Sequence, residues 1–152
     1  MKFYSRKLIK PEDLNANNTL FGGKLLEWID EEAGIYAMTR LETSKVVTKY
    51  MSEIDFKSSA RQGDVIEIGL EFIAIGTTSI SFACEVRNLF TKKTIIGISR
   101  IVFVNVNDNE QAFSLDWIQP GNMNMRRLTG SERQMRSRYI CYGLVQVTMS
   151  HR

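Results

Sequence analysis

Between residues 65 and 106 the chain carries three long strand-like runs separated only by short polar turns. Val65 to Ile75 sets Ile66, Ile68, Leu70, Phe72 and Ala74 on one side and Glu67, Gly69 and Glu71 on the other, so part of its second face is expected to be wet. Gly76-Thr77-Thr78 turns into Ser79 to Leu89, where Ile80, Phe82, Cys84 and Val86 alternate with Ser81, Ala83, Glu85 and Arg87. Thr91-Lys92-Lys93 turns again into Thr94 to Val106, an almost wholly apolar run that predicts a central strand covered on both faces, ended by Asn107-Asp108-Asn109. Runs this long with turns this short pair antiparallel, so the pattern predicts a meander.

One strong helical pattern precedes the meander. Pro11 to Thr19 is a polar stretch of turn formers leading into Leu20-Phe21-Gly22-Gly23. From Gly23 to about Arg40, Leu25, Leu26, Ile29, Ala33, Tyr36 and Ala37 recur at helical spacing, with no proline among them. Ser44 to Phe56 then reads as another strand, through Val46, Thr48, Tyr50, Ile54 and Phe56, and Lys57 to Asp64 as a loop. A strand at about Phe3 to Ile9 completes the sheet edge. The single helix must cover one face of the sheet, which makes the chain α+β.

With 152 residues, 43% of them hydrophobic and 24% charged, the sequence suits one folded domain. The net charge of +3 is concentrated at the end. Residues 1 to 122 hold 14 Lys and Arg against 16 Asp and Glu, or −2, and residues 123 to 152 hold six Arg against one Glu, or +5. A basic groove for nucleic acid is therefore not expected across the body. We divide the chain into a domain over 1–120 and an Arg-rich appendage over 121–152, with a helix near residues 131 to 138 capped by Ser131. Cys84 and Cys141 lack any zinc-site spacing and read as reduced and structural. Neither a signal-peptide core nor a bilayer-length apolar stretch occurs, so no membrane insertion and a cytoplasmic location are the expectation.

His151, the only histidine, lies one residue from the last position. Mechanisms that need a positioned imidazole are thereby disfavoured, and no G-x-S-x-G elbow, P-loop or G-x-G-x-x-G is present. Acid-base work would fall to carboxylates, without metal or cofactor. On the helix, Glu27 and Glu31 point away from the apolar face and Glu32 lies at one edge beside Trp28. Asp30 lies at the other edge, beside Ala33, Gly34 and Ala37, where small residues leave space and partial burial would raise a carboxyl pKa. A plain boundary residue of an amphipathic helix has the same placement. Gly22-Gly23 is an ordinary way for a loop to become a helix, and it also leaves backbone N–H groups free at the positive end of the dipole, suited to a developing oxyanion.

The order Pro11-x-Asp13-x-Asn15-Ala16-Asn17, Leu20-Phe21-Gly22-Gly23, Trp28-Ile29-Asp30, Ala33-Gly34, Val46-Val47-Thr48, Asp55-Phe56, Gly63-Asp64-Val65, Gly76-x-Thr78-Ser79 and Phe103-Val104 resembles the hotdog-fold acyl-CoA thioesterases, over roughly residues 8 to 110. The resemblance implies a long helix wrapped by an antiparallel sheet, homodimers with a continuous sheet often assembled as trimers of dimers, and hydrolysis of acyl-CoA. By position, Asp30 matches the family's catalytic acid, and Gly22 and Gly23 match the glycines that polarise the thioester carbonyl. Asn15, Asn17, Thr48 and Ser79 match positions near the substrate. The chain departs from the family's usual pattern at Asn18, at Glu31-Glu32 and at Arg100.

The expected reaction has N–H groups of Gly22 or Gly23 holding the carbonyl oxygen while Asp30 activates water. Direct attack by Asp30 to give a mixed anhydride is the competing route. Lys57, Arg61, Lys92 and Lys93 sit where they would meet CoA phosphates, although each is also an ordinary turn charge. The principal alternative is a hotdog module that binds acyl-CoA without turning it over. A hydratase on the same fold is opposed by the lack of an internal histidine, and the Arg-rich appendage suggests a contact with anionic membrane or another subunit.

Overall fold

The computed structural model describes residues 1–116 of the chain; the proposed appendage, its helix at residues 131 to 138, Cys141 and His151 lie outside them. Six strands and one helix follow in the order β1 (Lys2–Leu8), α1 (Gly22–Leu41), β2 (Val46–Met51), β3 (Ile54–Phe56), β4 (Val65–Ile75), β5 (Ser79–Asn88) and β6 (Thr94–Asn105). All pair antiparallel in one sheet ordered β1-β4-β5-β6-β2, with β3 also on β6. The expected meander is β4-β5-β6, and the first strand does close an edge. With the helix laid on one face, this is the hotdog arrangement.

The helix forms where Leu25, Ile29, Ala33, Ala37 and Leu41 repeat every three to four residues, and all five are buried. They face Ile66, Ile68, Leu70 and Phe72 of β4, Ile80, Phe82, Cys84 and Val86 of β5, and Ile96, Ile98, Ile101 and Phe103 of β6, all of which belong to the same core. Tyr36 meets the Phe82 ring edge-on at 4.9 Å. Burial on this scale, at about 25 cal/mol per Å² of apolar surface, is the main force holding helix to sheet. Cys84 is buried on this inner face, where burial pushes its thiol pKa up to about 12 and keeps it protonated. The helix stops at Glu42, in the left-handed region at φ 51°, whose N–H donates to Met38 O.

Two expectations need correction, and the partly wet outer face of β4 holds at Glu71, which is exposed. The strand expected over residues 44 to 56 is two pieces, because Ser52 leaves the regular ladder. Its hydroxyl accepts from Arg100 N–H at 2.9 Å and lies 2.8 Å from that of Ser99, where β6 bulges relative to β5 between Ile98 and Ile101. Among the described residues the last strand is not covered on both faces: Ser99 and Arg100 are exposed, and Gly97, Val102 and Val104 are half-buried, since α1 lies on the other side. Conversely, Glu67 on the outer face is only 3% exposed. It accepts from Arg87 Nε at 2.7 Å and Lys92 Nζ at 2.9 Å. The Lys92 hydrogen bond foremost, then that of Arg87, holds its carboxyl pKa down against burial. Such a group favours the fold above its ordinary pKa and loses that contribution as pH falls through the lowered value.

After β6 the chain doubles back. Val106 bridges to Ala112, and Leu115 is buried with its N–H donating to Thr77 O at 2.7 Å. Among the described residues no helix is long and apolar enough to cross a membrane.

Candidate active site

Asp30 stands on the flank of α1 facing β2, half-buried, and Thr48 Oγ1 donates to its Oδ1 at 2.6 Å. The two meet because Thr48 pairs with Phe103, and Phe103 lies on the inner face beneath Gly34, one turn beyond Asp30. The register irregularity between Thr48 and Tyr50 follows at once, a common device for aiming one side chain. Thr48 is β-branched and held in a ladder, so its hydroxyl is fixed in direction. One carboxylate oxygen is thereby occupied by a donor, and the other is left to accept from a further molecule.

The second feature lies at the start of the helix. Phe21 is the N-cap and offers no side-chain acceptor, and among the described residues nothing accepts from the N–H groups of Gly22 and Gly23. The approach is fixed by Phe21 N–H to Asp13 O at 2.9 Å and Leu20 N–H to Ala60 O at 2.8 Å. Both glycines sit under exposed aromatic rings. A Cβ on Gly22 would lie 3.2 Å from the Phe56 ring, and one on Gly23 would lie 2.6 Å from the Phe21 ring. A cleft of about 330 Å³ opens here, lined by Gly22, Asn15, Thr19, Phe56, Lys57 and Ser59 among others. Its mouth thus combines unpaired backbone donors, hydroxyls and one ammonium group.

The expected site residues are only partly brought together. Asp30 and Thr48 touch, and Asn15 shares the cleft with Gly22. Asn15 is largely occupied by its own loop: its Oδ1 accepts from Asn17 N–H at 2.9 Å and Thr19 N–H at 3.2 Å, and its Nδ2 donates to Thr19 Oγ1 at 3.0 Å. Asn17 is exposed and does not line the cleft. Ser79 pairs with Val104, one step out of phase with the Ile80-Phe103-Thr48 row, so it points to the outer face, away from Asp30. Of the four basic turn residues, only Lys57 lines the cleft, while Lys92 is engaged with Glu67.

Within one chain, Asp30 does not share a centre with the helix-start donors. It lies seven residues beyond Gly23, about 10 Å along the axis, and the free N–H groups point the opposite way, out of the helix end. A reacting carbonyl has to lie within about 3 Å of both its nucleophile and its oxyanion donors. Sequence reading also missed Thr19, Phe56 and Ser59. Phe56, read only as part of the alternating strand, is 54% exposed with its ring against Gly22.

The sheet, the long helix α1 and a carboxylate paired with a threonine hydroxyl define a hotdog domain whose polar site, among the described residues, holds no histidine. Residues 17–94 match the profile of the thioesterase superfamily, and the chain belongs to that family. It is 30% identical to an uncharacterized acyl-CoA thioester hydrolase of Bacillus subtilis over 72% of this chain and 65% of that protein. The chain thus spans just under two thirds of this relative. A hexameric hotdog-fold thioesterase of Campylobacter jejuni superimposes with a TM-score of 0.63 at 26% identity, covering 75% of this chain and 92% of that one. An acyl-CoA hydrolase of Staphylococcus aureus, solved with butyryl coenzyme A, coenzyme A and coenzyme A disulfide, gives 0.64 at 28%, covering 72% and 68%.

Proposed function

We propose that the chain is an acyl-CoA thioesterase, releasing free CoA and a carboxylic acid, with Asp30 as its catalytic carboxylate. The observation that carries this reading is the Thr48–Asp30 hydrogen bond, which orients a half-buried carboxylate on the helix flank of a thioesterase-family domain. The free oxygen of Asp30 takes a proton from water, hydroxide adds to the thioester carbon, and the oxyanion is held by N–H groups of Gly22 or Gly23. The C–S bond then breaks and the thiolate leaves. Thiolate is a good leaving group, so a carboxylate and backbone donors are enough for the step. Attack by Asp30 itself, giving an anhydride that water then opens, uses the same groups.

The 10 Å separation within one chain supports a site shared between two copies, with Asp30 from one and the helix start from the other. A homodimer, assembled further as a trimer of dimers, accords with the hexameric relative. The cleft beside Gly22 would take part of the CoA moiety, with Asn15 and Lys57 at its wall. A cytoplasmic location suits such a substrate.

The test is release of CoA thiol from a panel of short to long acyl-CoAs by wild type and Asp30→Asn. Loss of turnover in the variant with acyl-CoA binding retained is expected. Full activity in the variant would remove Asp30 from the mechanism, and binding without turnover by the wild type would identify a non-catalytic acyl-CoA-binding module.

A further inference from the structure

One corner of the sheet, remote from Asp30, combines an apolar tip with an excess of positive charge. On the outer face Leu8 pairs with Val65, and Leu89 N–H donates to Val65 O at 2.8 Å, so the three form one apolar row. The adjoining row is Arg6, Glu67 and Arg87. The β5–β6 turn continues from Leu89 into Phe90, Thr91, Lys92 and Lys93. Phe90 is 76% exposed, more than any other large hydrophobic residue described, and Leu8 is 55% exposed.

The turn holds Phe90 outward by its own bonds. Asn88 Oδ1 accepts from Phe90 N–H at 2.9 Å and Thr91 N–H at 3.0 Å, Lys92 N–H donates to Asn88 O at 3.0 Å, and Lys92 is left-handed at φ 59°. A phenylalanine displayed on a fixed turn loses little entropy when something covers it.

The charge around it is unlike that of the body. Arg6, Arg87, Lys92 and Lys93 lie around Glu67, with Glu85 two residues before Arg87 on the same face accepting from Thr94 Oγ1 at 3.3 Å, so four cations less two anions leave +2. The described residues as a whole carry 14 cations and 16 anions, or −2. Glu67 engages Lys92 and Arg87, whose guanidinium also stacks 3.6 Å over the Phe3 ring. Among the described residues no carboxylate pairs with Arg6 or Lys93, and both are exposed. The neighbouring Arg61 and Asp64 cancel in charge, and Asp64 Oδ2 is tied to Arg61 N–H at 2.8 Å.

We propose that this corner, Leu8, Leu89 and Phe90 rimmed by Arg6, Lys92 and Lys93, is a docking surface for an anionic lipid bilayer. Phe90 and Leu8 enter the boundary between headgroups and acyl chains, and the cations face lipid phosphates. Apolar contact plus basic residues is the two-part signal that peripheral attachment needs. The apolar tip is remote from Asp30, although Lys93 precedes Thr94, whose carbonyl accepts from Ser58 Oγ of the cleft at 2.7 Å, and vesicle binding is measured whether or not the chain hydrolyses thioesters.

The experiment is flotation of the full chain with vesicles of phosphatidylcholine alone or mixed with phosphatidylglycerol, at two salt concentrations. Binding to the mixed vesicles, weakened by salt, is expected. Phe90→Ser should lower the partition coefficient about tenfold or more, from the apolar burial lost. Lys93→Glu should lower it by about thirtyfold, from one positive charge replaced by a negative one. The Arg-rich residues 123 to 152 are present in every variant and contribute equally. Undiminished binding by both variants, or equal binding to uncharged vesicles, overturns the proposal. So does a smaller assembly for Phe90→Ser by light scattering, which would make the corner an interface between copies.

Discussion

Thr48 and Asp30 are eighteen residues apart in sequence and 2.6 Å apart in the fold, and the pair sets what the carboxylate offers a substrate. A donor on one oxygen fixes the plane of the carboxylate and aims the other oxygen. If that aim matters, Thr48→Val, which keeps the shape and removes the hydroxyl, should lower kcat by about tenfold with little change in KM, equivalent to about 1.4 kcal/mol of transition-state stabilisation. Thr48→Ser should retain most of the rate. Steady-state CoA release for the three proteins checks this, and a valine variant at wild-type kcat would leave Thr48 without a catalytic part. At this scale the sequence was a fair guide wherever residues shared the helix. Helical geometry placed Asp30 and Gly22 without reference to anything else. It did not give the direction of Ser79, which depends on the pairing phase of β5 with β6, nor the exposure of the Phe56 ring, which follows from β3 being a short edge piece. Neither phase is written in local alternation.

The helix carries an apparent weakness at Gly34, buried in mid-element against Phe103. An added Cβ would meet that ring at 3.6 Å, an ordinary van der Waals contact. Glycine inside a helix costs about 0.5–1 kcal/mol relative to alanine, so Gly34→Ala should stabilise the fold by about that amount and raise Tm by a few degrees. Calorimetry measures this directly. Gly34 is also one turn from Asp30, so a more stable but slower enzyme would mean that the missing methyl keeps space for the acyl group. Unchanged turnover would make the glycine a matter of packing alone. The order and type of α1, β4, β5 and β6 were legible because these elements are long and the turns between the strands are polar. The break at Ser52–Glu53 was not, since it follows from the Ser99–Arg100 bulge and from Ser52 offering its hydroxyl to the Arg100 N–H. The alternation of residues 44 to 56 runs through the break undisturbed.

If Asp30 and the helix-start N–H groups serve one carbonyl, as proposed, they must do so although they lie about 10 Å apart on one helix and face different ways. The proposed two-fold dimer, in which each site draws on both copies, would allow this, and the arrangement makes a numerical prediction. Asp30→Asn removes the proposed base. Gly22→Pro removes one helix-start N–H at a position where proline is well tolerated, since Gly22 is the first helical residue and Phe21 is already extended at φ −66° and ψ 124°. Its ring would need only a small shift of the Phe56 side chain, which is exposed. Each variant alone should be nearly inactive. Refolded together in equal amounts, half of the dimers are mixed, and each mixed dimer has one site with both groups intact and one with neither. Activity should therefore return to about a quarter of wild type. If each site were built within a single chain, every site in the mixture would still carry one defect and no activity would return. A single chain's sequence shows the pieces of such a site but not which copies they come from, because the alternation of a strand records that a face is covered and not by whom. The half-buried outer residues Val102 and Val104 of β6 show the same limit: their apolar run predicted cover that one helix, on the far side, does not supply.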